Sequence, residues 1–186
     1  GDVFVAMELV EGVNLRVWAA SRRPWAECVR AVIDAARGLA AAHRAGVVHR
    51  DVKPDNVLMR PTGRAAIGDF GLARSAGGDG GPYRARVAGT PRYLAREVRA
   101  GGAAVPASDQ YGFCLTLLEV ITGDTAVTPP TQIEMPGRLR RVIERGLAAD
   151  PATRWPSMDA LADELERVVR PPRRRRRIAL AAVGLI

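Results

Sequence analysis

From Val47 to Met59 the chain reads VVHRDVKPDNVLM. Two short apolar runs, VV and VLM, flank a polar centre. The flanks read as small strands and the centre as the turn between them. Asp51, Lys53 and Asn56 fall within six residues, and thirteen residues beyond Asn56, in IGDFGL, stands Asp69. Lys53 is the only lysine among 28 basic residues, and Asn56 is one of only two asparagines. Arginine offers a planar fork, lysine a compact point charge. A chain that uses arginine everywhere else keeps lysine chemistry at this one place.

These residue types match the needs of phosphoryl transfer from a nucleotide to a hydroxyl. Metal ions on a triphosphate need hard oxygen ligands, which a carboxylate and an amide oxygen supply. The hydroxyl needs a carboxylate to orient it and accept its proton. Charge spreading over the transferred group needs a nearby cation. Asp69, Asn56, Asp51 and Lys53 offer one residue for each need.

Working outward, VFVAMELV (3–10) reads as a buried strand and EGVNLRVWAA (11–20) as a short helix ending near Pro24. Val29, Val32, Ile33, Ala36, Leu39 and Ala40 recur at helical spacing, and Gly46 is a natural stop. Positions 75–106 lack a period and read as a long functional loop. SDQYGFCLTLLEVI (108–121) is apolar almost all round, the pattern of a helix buried on most sides. Amphipathic helices are expected over 137–148 and 157–169, the second capped by Ser157 with Asp159 in its first turn. His43 reads as an exposed helix residue, and His49, taken alone, as a core histidine.

HRDVKPDN followed by DFG resembles the catalytic loop and metal-binding motif of the eukaryotic-type Ser/Thr protein kinases of bacteria. Further matches keep the family's order. AMELVEG resembles the hinge strand, GTPRYLARE (89–97) the end of the activation segment, SDQYGF (108–113) the start of the central helix, and DPATRWPS (150–157) a site whose Arg154 pairs with Glu97. The resemblance covers positions 1–169 and implies an α+β, mainly helical, protein-kinase-like fold comprising hinge strand and C-lobe. It implies an enzyme that moves the γ-phosphate of ATP to Ser/Thr hydroxyls of protein substrates. The cofactors it implies are ATP and Mg²⁺, with Mn²⁺ as a substitute. Asp51 would be the catalytic base, Lys53 the cation at the γ-phosphate, and Thr90 the hydroxyl bridging the two. Asn56 and Asp69 would hold the metal. Backbone at Glu8 and Val10, beside Met7, would hold adenine, with Leu58 also in the nucleotide site. His49 would pack near Phe70, and Asp109 would tie the central helix to the catalytic-loop backbone. Lys53 and Thr90 favour the Ser/Thr class over tyrosine kinases and small-molecule phosphotransferases.

The sequence also departs from the family. No Gly-rich loop, strand lysine or helix-borne glutamate partner precedes the hinge, so little or no activity is expected of these residues alone. Arg96 stands where the family has proline before Glu97. Arg50, which in kinases receives an activation-loop phosphate, lacks an obvious partner, since Ala76–Ala88 contains no Ser or Thr. Ser75, Tyr83 and Thr90 are the hydroxyls of that region, and Asp79 is a candidate phosphate mimic.

The formal charge of +8 sits in one place. Arg170 and Arg173–Arg177 are six of the 28 basic residues, which leaves 22 against 20 acidic ones over 1–169. A nearly neutral body disfavours a nucleic-acid partner, whose phosphates call for a spread basic face. The arginine run (170–177) followed by IALAAVGLI (178–186) reads as a basic juxtamembrane segment and the start of a transmembrane helix. The kinase domain would then be cytoplasmic and anchored in the inner membrane. Two cysteines far apart exclude a disulfide scaffold. A non-catalytic kinase-like scaffold is the alternative, and four retained catalytic residue types argue against it.

Overall fold

The computed structural model describes residues 11–70, 74–75, 90–124 and 129–170. The expected hinge strand, with Met7, Glu8 and Val10, lies outside the described residues, as do Asp79, Tyr83 and the segments 171–177 and 178–186.

The chain enters as β1 (Val13–Asn14) and turns at once into α1 (Leu15–Ala19), because the Asn14 side chain caps the helix by accepting from the Val17 N–H. Helix α2 (Trp25–Arg44) follows. Its Cys28, Val29, Val32, Ala36, Leu39 and Ala40 are all buried, which is the expected stripe. Gly46, at φ +76°, closes it. Next come β2 (Val47–Val48), a 3-10 turn (Pro54–Asn56), and the hairpin of β3 (Val57–Met59) with β4 (Ala65–Ile67). β1, β3 and β4 form one antiparallel sheet, with Asn14 facing Leu58 and Leu58 facing Ala66. β2 pairs with β5 (Arg74–Ser75), so the two flanks of the 47–59 stretch belong to different sheets.

Within the region read as a long loop, residues 91–93 form a turn and Arg96–Arg99 a short helix, α3. Arg96 is the first helical residue, the position where proline is favoured because its missing N–H goes unused there. Helix α4 (Pro106–Thr122) is buried continuously from Ser108 to Val120 and ends at Gly123, which is left-handed at φ +67°. α5 (Gly137–Gly146) and α6 (Met158–Val169) complete the order, with Ser157 capping α6 as expected. α2 lies against α6, α4 and β4, and this packing forms the apolar core. The mainly helical content with two small sheets agrees with the α+β expectation. Among the described residues no helix is long and apolar enough to cross a membrane.

Candidate active site

The polar centre of the opening stretch is held from behind by α4. Asp109, buried at 2% exposure in the first turn of that helix, accepts from the backbone N–H of Arg50 (2.9 Å, Oδ1) and of His49 (2.9 Å, Oδ2). Arg50 is left-handed at φ +73°, a conformation that costs about 1–2 kcal/mol for a residue with a Cβ. The two bonds to a buried carboxylate offset that cost and fix the backbone that leads into Asp51. His43 also reaches Oδ2 of Asp109, at 2.7 Å, with a side chain only 9% exposed. It is therefore not the exposed residue that its place in the last turn of α2 suggests, because α4 covers that turn.

Asp51 is buried, and its carboxylate is surrounded by donors. Lys53 Nζ lies 2.6 Å from Oδ2, and Asn56 Nδ2 donates to Oδ2 at 3.1 Å and to the Asp51 carbonyl at 2.8 Å. The backbone N–H of Thr90 donates to Oδ1 at 2.8 Å, and its hydroxyl donates to the same oxygen at 3.0 Å. That hydroxyl accepts from Lys53 Nζ at 2.9 Å, so Thr90 touches both the Asp51 carboxylate and the Lys53 ammonium. Burial pushes the Asp51 carboxyl up, but the Lys53 ammonium and the two Thr90 donors outweigh it and hold it below the usual carboxylate range. The group is ionised at neutral pH and can accept a hydrogen bond from an incoming hydroxyl.

Asn56 and Asp69 come from different elements but share one backbone link. The Gly68 N–H donates to the Asn56 carbonyl at 2.8 Å, and Gly68 O lies 2.9 Å from His49 Nε2. Asp69 follows, exposed and left-handed at φ +56°. The His49 ring packs on Phe70 with centroids 4.6 Å apart. A side-chain amide whose nitrogen is committed to Asp51 has its oxygen oriented, and oxygen is the atom a hard cation needs. Among the described residues no cluster of three His, Cys, Asp or Glu could hold a metal alone. The amide oxygen of Asn56 and the carboxylate of Asp69 are hard donors of the kind that Mg²⁺ would take beside phosphate and water. Leu58 sits half-buried at the centre of the β1–β3–β4 sheet, beside Gly68.

Below this centre, Arg154, wholly buried in its side chain, grips Glu97 with both arms at 2.8 and 2.9 Å. It also donates to the carbonyls of Ala107 and Ala148. Burial raises the Glu97 carboxyl, and Arg154 outweighs it, leaving the group below its usual range.

Sequence reasoning missed a second charged network. Arg16 of α1 donates to Asp55 from Nε (2.9 Å) and Nη2 (2.7 Å), contacts Glu119 through Nη1, and reaches the Tyr93 hydroxyl at 3.1 Å. Arg92 lies 3.2 Å from Glu119 as well. One signal was available, since Glu119 is a carboxylate inside an otherwise apolar helix, and a buried charge demands a partner.

The sequence pattern that defines the protein kinase domain matches residues 1–171. Serine/threonine-protein kinase PknA of Mycobacterium tuberculosis is 35% identical over 193 aligned residues, covering 91% of this chain and 44% of PknA. Serine/threonine-protein kinase PknL of the same organism is 32% identical, covering 89% of this chain and 47% of PknL. A probable serine/threonine-protein kinase of Bifidobacterium longum, pknA2, is 40% identical over 122 residues, 64% of this chain and 16% of its own length. The chain thus spans about half the length of the two mycobacterial relatives. A donor-ringed aspartate, a lysine and threonine bridging on it, and a match across nearly the whole length lead to one conclusion: the chain belongs to the protein kinase domain family.

Proposed function

We propose that these residues form the catalytic-loop lobe of an ATP- and Mg²⁺-dependent protein kinase that phosphorylates Ser/Thr hydroxyls of proteins. The carrying observation is the ring of donors around Asp51. Asp51 accepts the proton of the substrate hydroxyl and orients its oxygen. Lys53, held between Asp51 and Thr90, faces the charge that develops on the transferred group. Asn56 and Asp69 hold Mg²⁺, whose charge neutralises the phosphate oxygens when it is bound. Leu58 borders the nucleotide, and backbone at Glu8 and Val10 holds adenine. The test is Asp51→Asn in the full-length protein, with transfer of labelled γ-phosphate to Ser/Thr peptides as readout. A fall of about 10²–10⁴-fold is expected, the worth of a positioned general base. Unchanged transfer would remove the role given to Asp51.

The arginine run 173–177 and the apolar residues after it support a second part of the reading. A basic segment flanking an apolar one favours the cytoplasmic face of a membrane, so the kinase domain is expected there, tethered behind α6. Membrane fractionation of the full-length protein checks this, and a product wholly in the soluble fraction would remove the anchor.

A further inference from the structure

Helices α2 and α6 run antiparallel. Arg44, at the end of α2, pairs with Asp159 at the start of α6, and Arg37, two turns earlier, reaches Asp163 and Glu166 at 2.6 and 2.8 Å. Arg30 stands two further turns back on nearly the same face, about 10 Å along the helix. It is therefore level with the end of α6, where Arg167 and Arg170 stand. α5 brings a further pair to this end. Arg138, in its first turn, lies 3.4 Å from Glu164 of α6, and Arg141 follows one turn on. Five arginines from three helices, all exposed, thus gather at one end of the domain. The carboxylates of α6 near them are already shared. Glu164 serves Arg138 and Arg167, and Glu166 serves Arg37 and Arg170. Arg30 and Arg141 take no acidic partner among the described residues. Glu134, exposed just before α5, offsets one of these charges. From Arg170 the chain continues into PPRRRRR (171–177) and the apolar IALAAVGLI (178–186). Nucleic acid and anionic lipid both attract arginines, but the apolar continuation favours a bilayer, whose negative headgroups draw cationic groups within about one Debye length. The reaction centre lies toward the other end of α2. Asp109, which fixes the backbone leading into Asp51, touches His43, about 20 Å along the helix from Arg30.

We propose that the arginine-bearing end of α2, α5 and α6 docks the folded domain on an anionic lipid surface, with the Asp51 centre held away from it. The inference rests on the anchor reading for its setting, but the two are tested apart. The full-length protein is given one added thiol. Gly137→Cys places it at this end, where a side chain meets nothing within 4 Å, and Ala45→Cys at the far end of α2. Both native thiols are buried. Each variant carries a donor fluorophore and is reconstituted in vesicles with a headgroup-linked acceptor, made of phosphatidylcholine alone or mixed with phosphatidylglycerol. Phosphatidylglycerol is expected to raise energy transfer from position 137 more than from position 45, and salt to reverse the gain. Replacing Arg30, Arg138 and Arg141 together by Gln, with Arg173–Arg177 kept, is expected to abolish the gain. Arg141→Gln alone, which breaks no ion pair, is expected to lessen it and serves if the triple variant folds poorly. A gain that survives these substitutions belongs to the arginine run and overturns the proposal, as does equal transfer in both lipids or from both positions. Protein that stays in solution beside phosphatidylcholine vesicles removes the anchor instead. Docking is then read by co-sedimentation with the phosphatidylglycerol vesicles, where the triple variant is expected to bind about tenfold more weakly or worse. Equal binding overturns the proposal there too, and release from the vesicles by duplex DNA at equal phosphate concentration would make this end a nucleic-acid face.

Discussion

The Asp51 carboxylate receives four donors from three residues, and the Asn56 side chain also donates to the Asp51 carbonyl. The physical result is a carboxylate that stays charged despite burial, and it links function to stability. Its folded pKa lies below the unfolded value of about 3.8, and that of Glu97 lies below about 4.5. A depressed carboxylate contributes stability that is fully present above the unfolded value and lost as pH falls through the folded one. Urea midpoints are therefore expected to be flat from neutrality to about pH 5 and to fall in more acid solution. Asp51→Asn should lessen that acid dependence, and an unchanged slope would show that its donors do not depress its titration. The thiols point the other way. Burial raises Cys28 to about 11 and Cys114 to about 12. Neither should react with iodoacetamide at neutral pH until the protein unfolds, since the thiolate is the reactive form.

At the scale of elements, α4 is the part on which the site is built. Its Asp109 fixes the left-handed backbone at Arg50, and its Gly112 lets the backbone of Val52 and Tyr93 come close. A Cβ at Gly112 would stand 3.1 Å from the Val52 carbonyl and 3.3 Å from that of Tyr93. On an exposed helix Gly→Ala stabilises by up to about 1 kcal/mol through propensity. Here both neighbours are backbone of the site, and overpacking of this kind costs about 1–3 kcal/mol. Gly112→Ala is thus expected to lower the urea midpoint, and a rise would show that the loop yields freely. SDQYGF was legible as the start of a buried helix because its apolar residues run all round. That its glycine serves a close approach was not legible, because the approaching chain comes from sixty residues upstream.

At the scale of the molecule, Arg154 joins the segment before α6 to α3 and to the start of α4, across 57 residues of sequence. Arg154 is wholly buried, but the Glu97 side chain keeps 20% exposure, so the expected buried pair is buried on one side only. Water reaches the carboxylate that Arg154→Met would leave, and the variant is expected to lose less than the ~3–5 kcal/mol of a fully buried pair in equilibrium unfolding. Adding Glu97→Leu should restore part of it, because two apolar groups need no partner. The restoration is partial, since the carbonyls of Ala107 and Ala148 still lose their donor. A double variant no more stable than the single one would show that the pair's charges are already screened.

The sequence alone determined which polar residues gather at the centre and the order of the helices. Asp51, Lys53 and Asn56 are near neighbours in one turn, and helical periodicity depends only on local spacing, so both can be read from a linear string. The family resemblance pointed to three meetings of distant residues, Thr90 with Asp51, Asp109 with the loop backbone and Arg154 with Glu97; tertiary structure supplied their geometry and decided the rest. It placed Thr90 on Asp51, covered His43 with Asp109, and seated Arg16 between Asp55 and Glu119. Charge pairing across such separations leaves no periodic trace, because it is selected by the path of the whole chain and by the cost of burying a carboxylate without a partner.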